Sequence, residues 1–162
     1  MSKCHIIVGA TGTGKTTFVK KLLKKASKQS LFIYDVNNEY KEYFNYPFIY
    51  FEDFIESATR LKNGILVIEE ATIFLNNRSS NENLKEILVR KRHTNLYVIL
   101  VFHSMRSVPR YIYELSNYIT IFKTNDSPDM TSKELKDDRI YDIMTEVKDH
   151  KNKYFQKTMK IY

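Results

Sequence analysis

The sequence predicts an α/β fold, a mostly parallel sheet with helices on both faces. Short apolar runs alternate along the chain with amphipathic helical stretches. The runs are apolar throughout rather than every second residue, so both faces of each strand must be covered. At 162 residues the chain is long enough for one domain with its own core.

The elements read in order as follows. "CHIIVG", residues 4–9, is a buried strand that stops at glycine. Residues 15–28 form a helix with Phe18, Val19, Leu22, Leu23 and Ala26 on one face. Lys20, Lys21, Lys24, Lys25 and Lys28 lie on the other face, which is read as solvated. "LFIYD", 31–35, is a second strand, and "VNNEYKEYF" carries a turn and a short helix. "FIYF", 48–51, follows Pro47 and reads as a short strand. "EDFIESATRL", 52–61, is a helix with Phe54, Ile55, Ala58 and Leu61 inward. "GILVIEE", 64–70, is an apolar strand ending in two carboxylates. "NNRSSNEN", 76–83, lacks apolar periodicity and reads as a loop before the helix "LKEILVRKRH". "LYVILVFH", 96–103, is a wholly apolar strand, "SVPRYIYELSN" a loop with a short helix, and "YITIFK", 118–123, a further strand. After Asp126 the pattern weakens. Residues 131–147 suit a helix, and 148–160 carry five lysines and little core. The expected division is a core over 1–126 and a C-terminal extension over 127–162 with a helix and a basic tail.

Composition narrows the class. Charged residues at 28% and hydrophobic residues at 43% are ordinary for a globular protein. The longest apolar run, "YVILVF" at 97–102, is too short to span a bilayer. The N-terminus shows no signal-peptide succession. A single cysteine, Cys4, excludes an internal disulfide framework and suits a reducing compartment; it is read as a buried thiol on the first strand. The net charge of +7 and pI near 9.3 favour an anionic partner, with nucleic acid first. The abundance of Lys, Asn, Ile, Tyr and Phe is also what an AT-rich genome encodes, so the charge raises that expectation without carrying it.

"GATGTGKT", Gly9 to Thr16, fits G-x-x-x-x-G-K-[ST] in full, after a strand and at the start of a helix. Backbone N–H groups must approach phosphate oxygens, so side chains have to be absent at Gly12 and Gly14. The helix N-terminus adds partial positive charge. Gly9, Ala10, Thr11, Gly12, Thr13 and Gly14 are the expected cradle. Lys15 is expected at the β- and γ-phosphates, Thr16 at Mg²⁺ and Thr17 near the α-phosphate. ATP and Mg²⁺ are the implied ligands.

Glu69 and Glu70 fall at the C-terminal end of a buried strand, where open α/β sheets bind ligands. The first acid of such a pair suits the metal side. The second suits polarising the attacking water as a general base. A water-activating acid favours hydrolysis over transfer to a bound acceptor, and neither an acceptor domain nor an arginine-bearing lid is assignable. His103 ends the next strand, where a polar group can reach the γ-phosphate or the water. Asp35 and Glu39 follow the second strand and either sense the site or cap a turn. Arg92 first, then Arg90, are candidates for an arginine given in trans to the transferring phosphoryl group, with Arg106 and Arg110 behind them. His5, His93 and His150 show no metal-ligand spacing with one another or with Cys4.

Taken in order and spacing, "GATGTGKT", "YDVNNEY", "ILVIEEA", "RKRH" and "VILVFHS" resemble the HerA/FtsK superfamily of DNA-pumping ATPases over residues 4–123. The compact form is similar to viral genome-packaging ATPases, and next to the assembly ATPases of filamentous phages. The resemblance implies a RecA-like P-loop NTPase core, hexameric rings, and ATP hydrolysis coupled to sequence-independent DNA translocation. It also implies a docking partner on a capsid or membrane protein, and a location in the host cytoplasm or with the virion. By position it makes Glu69 the metal-side acid, Glu70 the catalytic base, His103 the sensor and Arg92 the trans finger. Two departures stand out: the metal-side acid is usually Asp, and the sensor usually Gln or Asn. The loop at 76–83 reads as an ordinary surface loop, with a pore-facing segment as the alternative the resemblance adds. A small-molecule phosphotransferase and a slow regulatory nucleotide-binding module remain as alternatives.

Overall fold

A computed structural model describes residues 2–24, 31–43, 50–75 and 77–162. Its centre is a six-stranded sheet of order β2-β3-β4-β1-β5-β6. The strands are β1 (Lys3–Val8), β2 (Leu31–Tyr34), β3 (Ile65–Ile68), β4 (Tyr97–Phe102), β5 (Tyr118–Ile121) and β6 (Lys157–Lys160). The first five run parallel, and β6 pairs antiparallel with β5. Parallel pairing brings all five C-terminal ends to one edge, and β1 sits between β4 and β5 there.

Side chains of β1 to β4 alternate between two cores. Cys4, Ile6 and Val8 of β1 face a core shared with α2 (Phe51–Ala58), α4 (Arg78–Thr94) and α5 (Arg110–Leu115). Ile7 faces a smaller core closed by Val19 and Leu23 of α1 (Lys15–Leu23). The one-turn α3 (Ala71–Phe74) follows β3, while α6 (Pro128–Leu135) and α7 (Asp138–Asp149) precede β6. Cys4 is fully buried, and burial pushes its thiol up to about 11.

Three expectations are corrected or extended. The stretch read as a loop at 76–83 is, from Arg78 on, the first two turns of α4. Asn77 caps that helix by accepting from Ser79 N and Ser80 N, at 2.9 and 3.4 Å. Periodicity missed it because the inward position is Ser80, a polar residue only 1% exposed. Of the strand read at 48–51, residues 48 and 49 lie outside the described residues, and Tyr50 is the N-cap of α2. The last residue of that stretch, Phe51, opens α2 and stacks on Phe74 with ring centroids 4.5 Å apart. The stretch 131–147 holds parts of two helices rather than one, because Lys136 turns the chain with φ 55°.

The basic tail contributes β6. An edge strand needs backbone pairing on one side only, so its side chains can stay polar. Three of its four residues are exposed accordingly. A polar line ties it to the centre of the sheet. His5 Nε2 lies 2.7 Å from Thr120 Oγ1, which lies 2.6 Å from Thr158 Oγ1. His5 Nδ1 meets the Tyr97 hydroxyl at 3.0 Å. Burial holds the His5 imidazole down at about 4, so it sits in the sheet neutral.

Thr120→Val keeps the shape and strands the buried His5 Nε2. It is expected to destabilise the fold by about 1–3 kcal/mol. Urea unfolding checks this as a lower midpoint at an unchanged slope.

Candidate active site

The loop between β1 and α1 is pinned to the strands on either side. Gly9 N donates to Phe102 O at 3.2 Å, and Ala10 N donates to Lys123 O at 2.8 Å. Gly12 and Gly14 take φ of 74° and 101°, where a side chain is strained. Lys15 folds back beneath the loop. Its Nζ donates to Gly9 O at 2.7 Å and Ala10 O at 3.1 Å. Burial lowers its pKa, and the nearby Glu69, Glu70 and Glu39 carboxylates oppose that.

The segment after β2 forms the site's second wall. Asp35 caps its turn, accepting from Glu39 N and Tyr40 N at 2.9 and 2.8 Å. Of the two readings of Asp35, the turn cap is the one the geometry carries. Glu39 instead reaches the site and accepts from the Thr16 hydroxyl at 3.0 Å. Tyr40, fully buried, donates its hydroxyl to Glu69 Oε1.

Glu69 and Glu70 end β3 one strand away from His103, because β3 neighbours β4. Glu69 is 4% exposed, and burial raises its pKa from an ordinary 4.5 to about 7. The Tyr40 hydrogen bond and Lys15 pull it back down, and Glu39 and Glu70 push it further up. Glu70 sits at φ 54°, turned out of the strand direction toward His103. His103 Nε2 is 2.6 Å from Glu70 Oε1, and Asn37 Nδ2 donates to the same oxygen at 3.3 Å. His103 Nδ1 faces Lys15 Nζ at 3.5 Å. An ammonium only donates, so Nδ1 is the accepting nitrogen and Nε2 carries the proton given to Glu70. Lys15, His103 and Glu70 thus form one chain of contacts across three strand ends.

The Thr16 hydroxyl and the Glu39 carboxylate it contacts are oxygen donors, the kind that suits a hard divalent cation. Among the described residues no three His, Cys, Asp or Glu side chains converge as a metal cage. Mg²⁺ needs none, since it is held by one or two protein oxygens together with substrate phosphates and water. The buried Glu69 carboxylate, whose charge burial disfavours, has the chemistry for that role, and Glu39 is the carboxylate that Thr16 itself contacts.

Two open clefts flank the outer side of the loop. One, of about 290 Å³, is lined by Gly12, Gly14, Lys15, Thr16, Thr17, Glu39 and Tyr154. The other, of about 370 Å³, has Thr13, Phe18, Lys21, Phe122 and Gln156 in its wall and shares Gly14, Thr17 and Tyr154 with the first.

The structure therefore gathers Gly9 through Thr17, Glu69, Glu70 and His103 at one edge of the sheet. It does not bring Arg90 or Arg92 there. Both are exposed on the last turns of α4, which lead into the start of β4 at the opposite edge, and Arg90 pairs with Glu86 at 2.6 Å. Arg110 pairs with Glu114 at 2.8 Å. Sequence reading missed Tyr40 and Asn37, although both lie inside the quoted "YDVNNEY" and could have been found from its position after β2.

The sequence matches the family described as Helicase HerA, central domain, over residues 2–161. Among curated proteins none matches in sequence. In structure the chain is similar to B204, the DNA-packaging ATPase from Sulfolobus Turreted Icosahedral Virus, with TM-score 0.78, 20% identity, and coverage of 98% of this chain and 92% of that one. It is similar to the genome packaging NTPase B204 from Sulfolobus turreted icosahedral virus 2 in complex with AMPPCP, with TM-score 0.75, 19% identity, and coverage of 98% and 92%. A KaiC-like protein, PH0186 from Pyrococcus horikoshii OT3, matches with TM-score 0.51 and 16% identity over 77% of this chain and 74% of that one. The fold is that of the RecA-like P-loop NTPases, as expected from the sequence.

The raised pKa of Glu69 has a thermodynamic consequence. The folded state holds the proton more tightly than the unfolded chain, so ionisation costs stability. That cost is nearly absent at pH 4.5 and complete above about pH 7. Glu69→Gln keeps an acceptor for Tyr40 and removes the charge. It is expected to stabilise the nucleotide-free protein by on the order of 2–3 kcal/mol more at pH 8 than at pH 5. Thermal unfolding of both proteins at the two pH values checks it.

Proposed function

The chain belongs to the family of the HerA helicase central domain, and from that premise we propose that it is an ATP hydrolase coupled to DNA translocation, of the viral genome-packaging kind. The observation that carries the reading is Glu70. It stands at the strand edge beside the phosphate loop, held by His103 at 2.6 Å, with Lys15 next along the chain of contacts.

Triphosphate binding gives Lys15 a stronger partner than the Gly9 and Ala10 carbonyls. Its ammonium then serves the β- and γ-phosphate oxygens. Glu70 takes a proton from a water aligned with the γ-phosphorus. The water oxygen bonds to phosphorus, the bond from phosphorus to the β-bridging oxygen breaks, and the electron pair leaves with ADP. His103 keeps Glu70 and the water in register through its Nε2–H. Bound Mg²⁺ would neutralise charge on the phosphate oxygens, held by Thr16 and Glu69.

Arg90 and Arg92 lie too far round the sheet to serve their own subunit's site. In this reading they reach a neighbour's site in a ring, most simply a hexamer, with Arg92 first. The net charge of +7 supports a sequence-independent, salt-sensitive contact with the DNA backbone. The description of B204 as a DNA-packaging ATPase supports the biological role; a capsid or membrane-protein dock and a place in the host cytoplasm are part of the same proposal. Among the described residues no helix is long and apolar enough to cross a membrane. The pore-facing role once open to 76–83 has no loop to carry it from Arg78 on, since that stretch is helical.

The test is steady-state ATPase activity with and without single- and double-stranded DNA. DNA is expected to stimulate turnover, and Glu70→Gln to lower kcat by about 10²–10⁴-fold. Activity indifferent to DNA, or dependent on a small-molecule phosphate acceptor, overturns the translocase reading.

A further inference from the structure

Residues 150–156, between α7 and β6, lie over the phosphate loop and have no role in the chemistry above. The Lys153 ammonium approaches to 3.5 Å from where a Cβ on Gly12 would stand. Tyr154 Cδ1 comes to 3.4 Å from the same point on Gly14. The segment is held firmly. The His150 and Phe155 rings stack with centroids 3.7 Å apart at 9°. Asn152 Oδ1 accepts from Tyr154 N at 2.9 Å, and Lys123 Nζ donates to the His150 carbonyl. Beyond it, β6 is zipped to β5 from Lys157 to Lys160.

On this anchored loop Tyr154 is 60% exposed. A large ring left in water on a braced loop is a surface offered to something flat. It also lies where the two clefts meet. The cleft on one side is polar, with Gly12, Lys15, Thr16 and Glu39. The other carries two aromatic walls, Phe18 and Phe122, and the amide of Gln156. Their shared wall is Gly14, Thr17 and Tyr154. The pair is shaped for an elongated ligand with an anionic end, a narrow middle and a flat heterocyclic end.

Resting on the nucleotide-hydrolase reading of this site, we propose that the 150–156 loop is its nucleoside-binding element. The Tyr154 ring stacks on the nucleobase, the Gln156 amide faces the base edge, and Lys153 adds a cation above the phosphates. Stacking accepts any base, because every base has a π face. A single amide adds only modest preference, so the site reads a nucleoside triphosphate as a class before it reads its base.

Isothermal titration of the full chain with ATP and with inorganic tripolyphosphate tests this, in wild type, Tyr154→Ala and Tyr154→Phe. Tyr154→Ala is expected to weaken ATP binding about tenfold, the scale of one stacked base. Tripolyphosphate should stay within about twofold, since it has no base to lose, and that arm also reports an intact phosphate loop. Tyr154→Phe keeps the ring and should bind ATP as wild type does. The proposal is overturned if Tyr154→Ala binds ATP normally, or if it loses both ligands equally. A wild-type chain that takes tripolyphosphate as well as it takes ATP also overturns it, and leaves the phosphate site standing. One that binds neither ligand removes the nucleotide reading as a whole.

Discussion

Lys15 holds the site in shape before any ligand arrives. Its ammonium occupies the carbonyls of Gly9 and Ala10, and those two peptides are themselves tied to β4 and to the residues after β5. A loop fixed at both ends and cross-braced by a cation has little left to lose in conformational entropy when phosphate binds. The brace has its own cost, because burial disfavours the charge on Lys15. Glu69, Glu70 and Glu39 offset that cost. The same carboxylates crowd one another, and burial together with the neighbouring Glu39 and Glu70 drives Glu69 toward its neutral form. Cation and acids are therefore interdependent, and each is tolerable in this half-buried edge because the other is present.

The sheet makes this arrangement reachable. Parallel strands deliver their C-terminal ends to one side, and the order β3-β4-β1-β5 places Glu69 and Glu70, His103 and the phosphate loop on consecutive ends. Adjacent strands lie about 4.8 Å apart. Groups at neighbouring ends thus meet within hydrogen-bond reach, as His103 and Glu70 do at 2.6 Å. The left-handed backbone at Glu70 is the adjustment that turns its side chain toward the neighbouring strand. A residue there pointing along the strand would leave His103 without its carboxylate.

Much of this was legible in the sequence where chemistry and periodicity coincide. Apolar runs marked the five parallel strands, and the phosphate loop carries its own spacing. What periodicity could not show was whatever is held by polar contacts. The start of α4 depends on a side-chain cap at Asn77 and an inward Ser80, and neither leaves an apolar stripe. The strand β6 depends on backbone pairing at an edge, so its composition looks like a tail. Tyr40 looked like one tyrosine among twelve until the turn capped by Asp35 aimed it at Glu69. Asp35 itself was open between two roles in the sequence, because a cap and a sensor use the same carboxylate.

The lysines after residue 147 illustrate why net charge alone says little about mechanism. Lys157 pairs with Glu146 and sits on an edge strand, where cations discourage further strand addition. Lys153 stands over a loop at a helix N-terminus, where a cation is unfavourable alone and becomes favourable once an anion lies between them. Lys123, just past β5, donates to the backbone of the same segment. Lys157 and Lys123 therefore have local partners that involve no nucleic acid. Charge engaged locally in this way counts toward the net +7 without being available to an anionic partner, so the total overstates what such a partner could use.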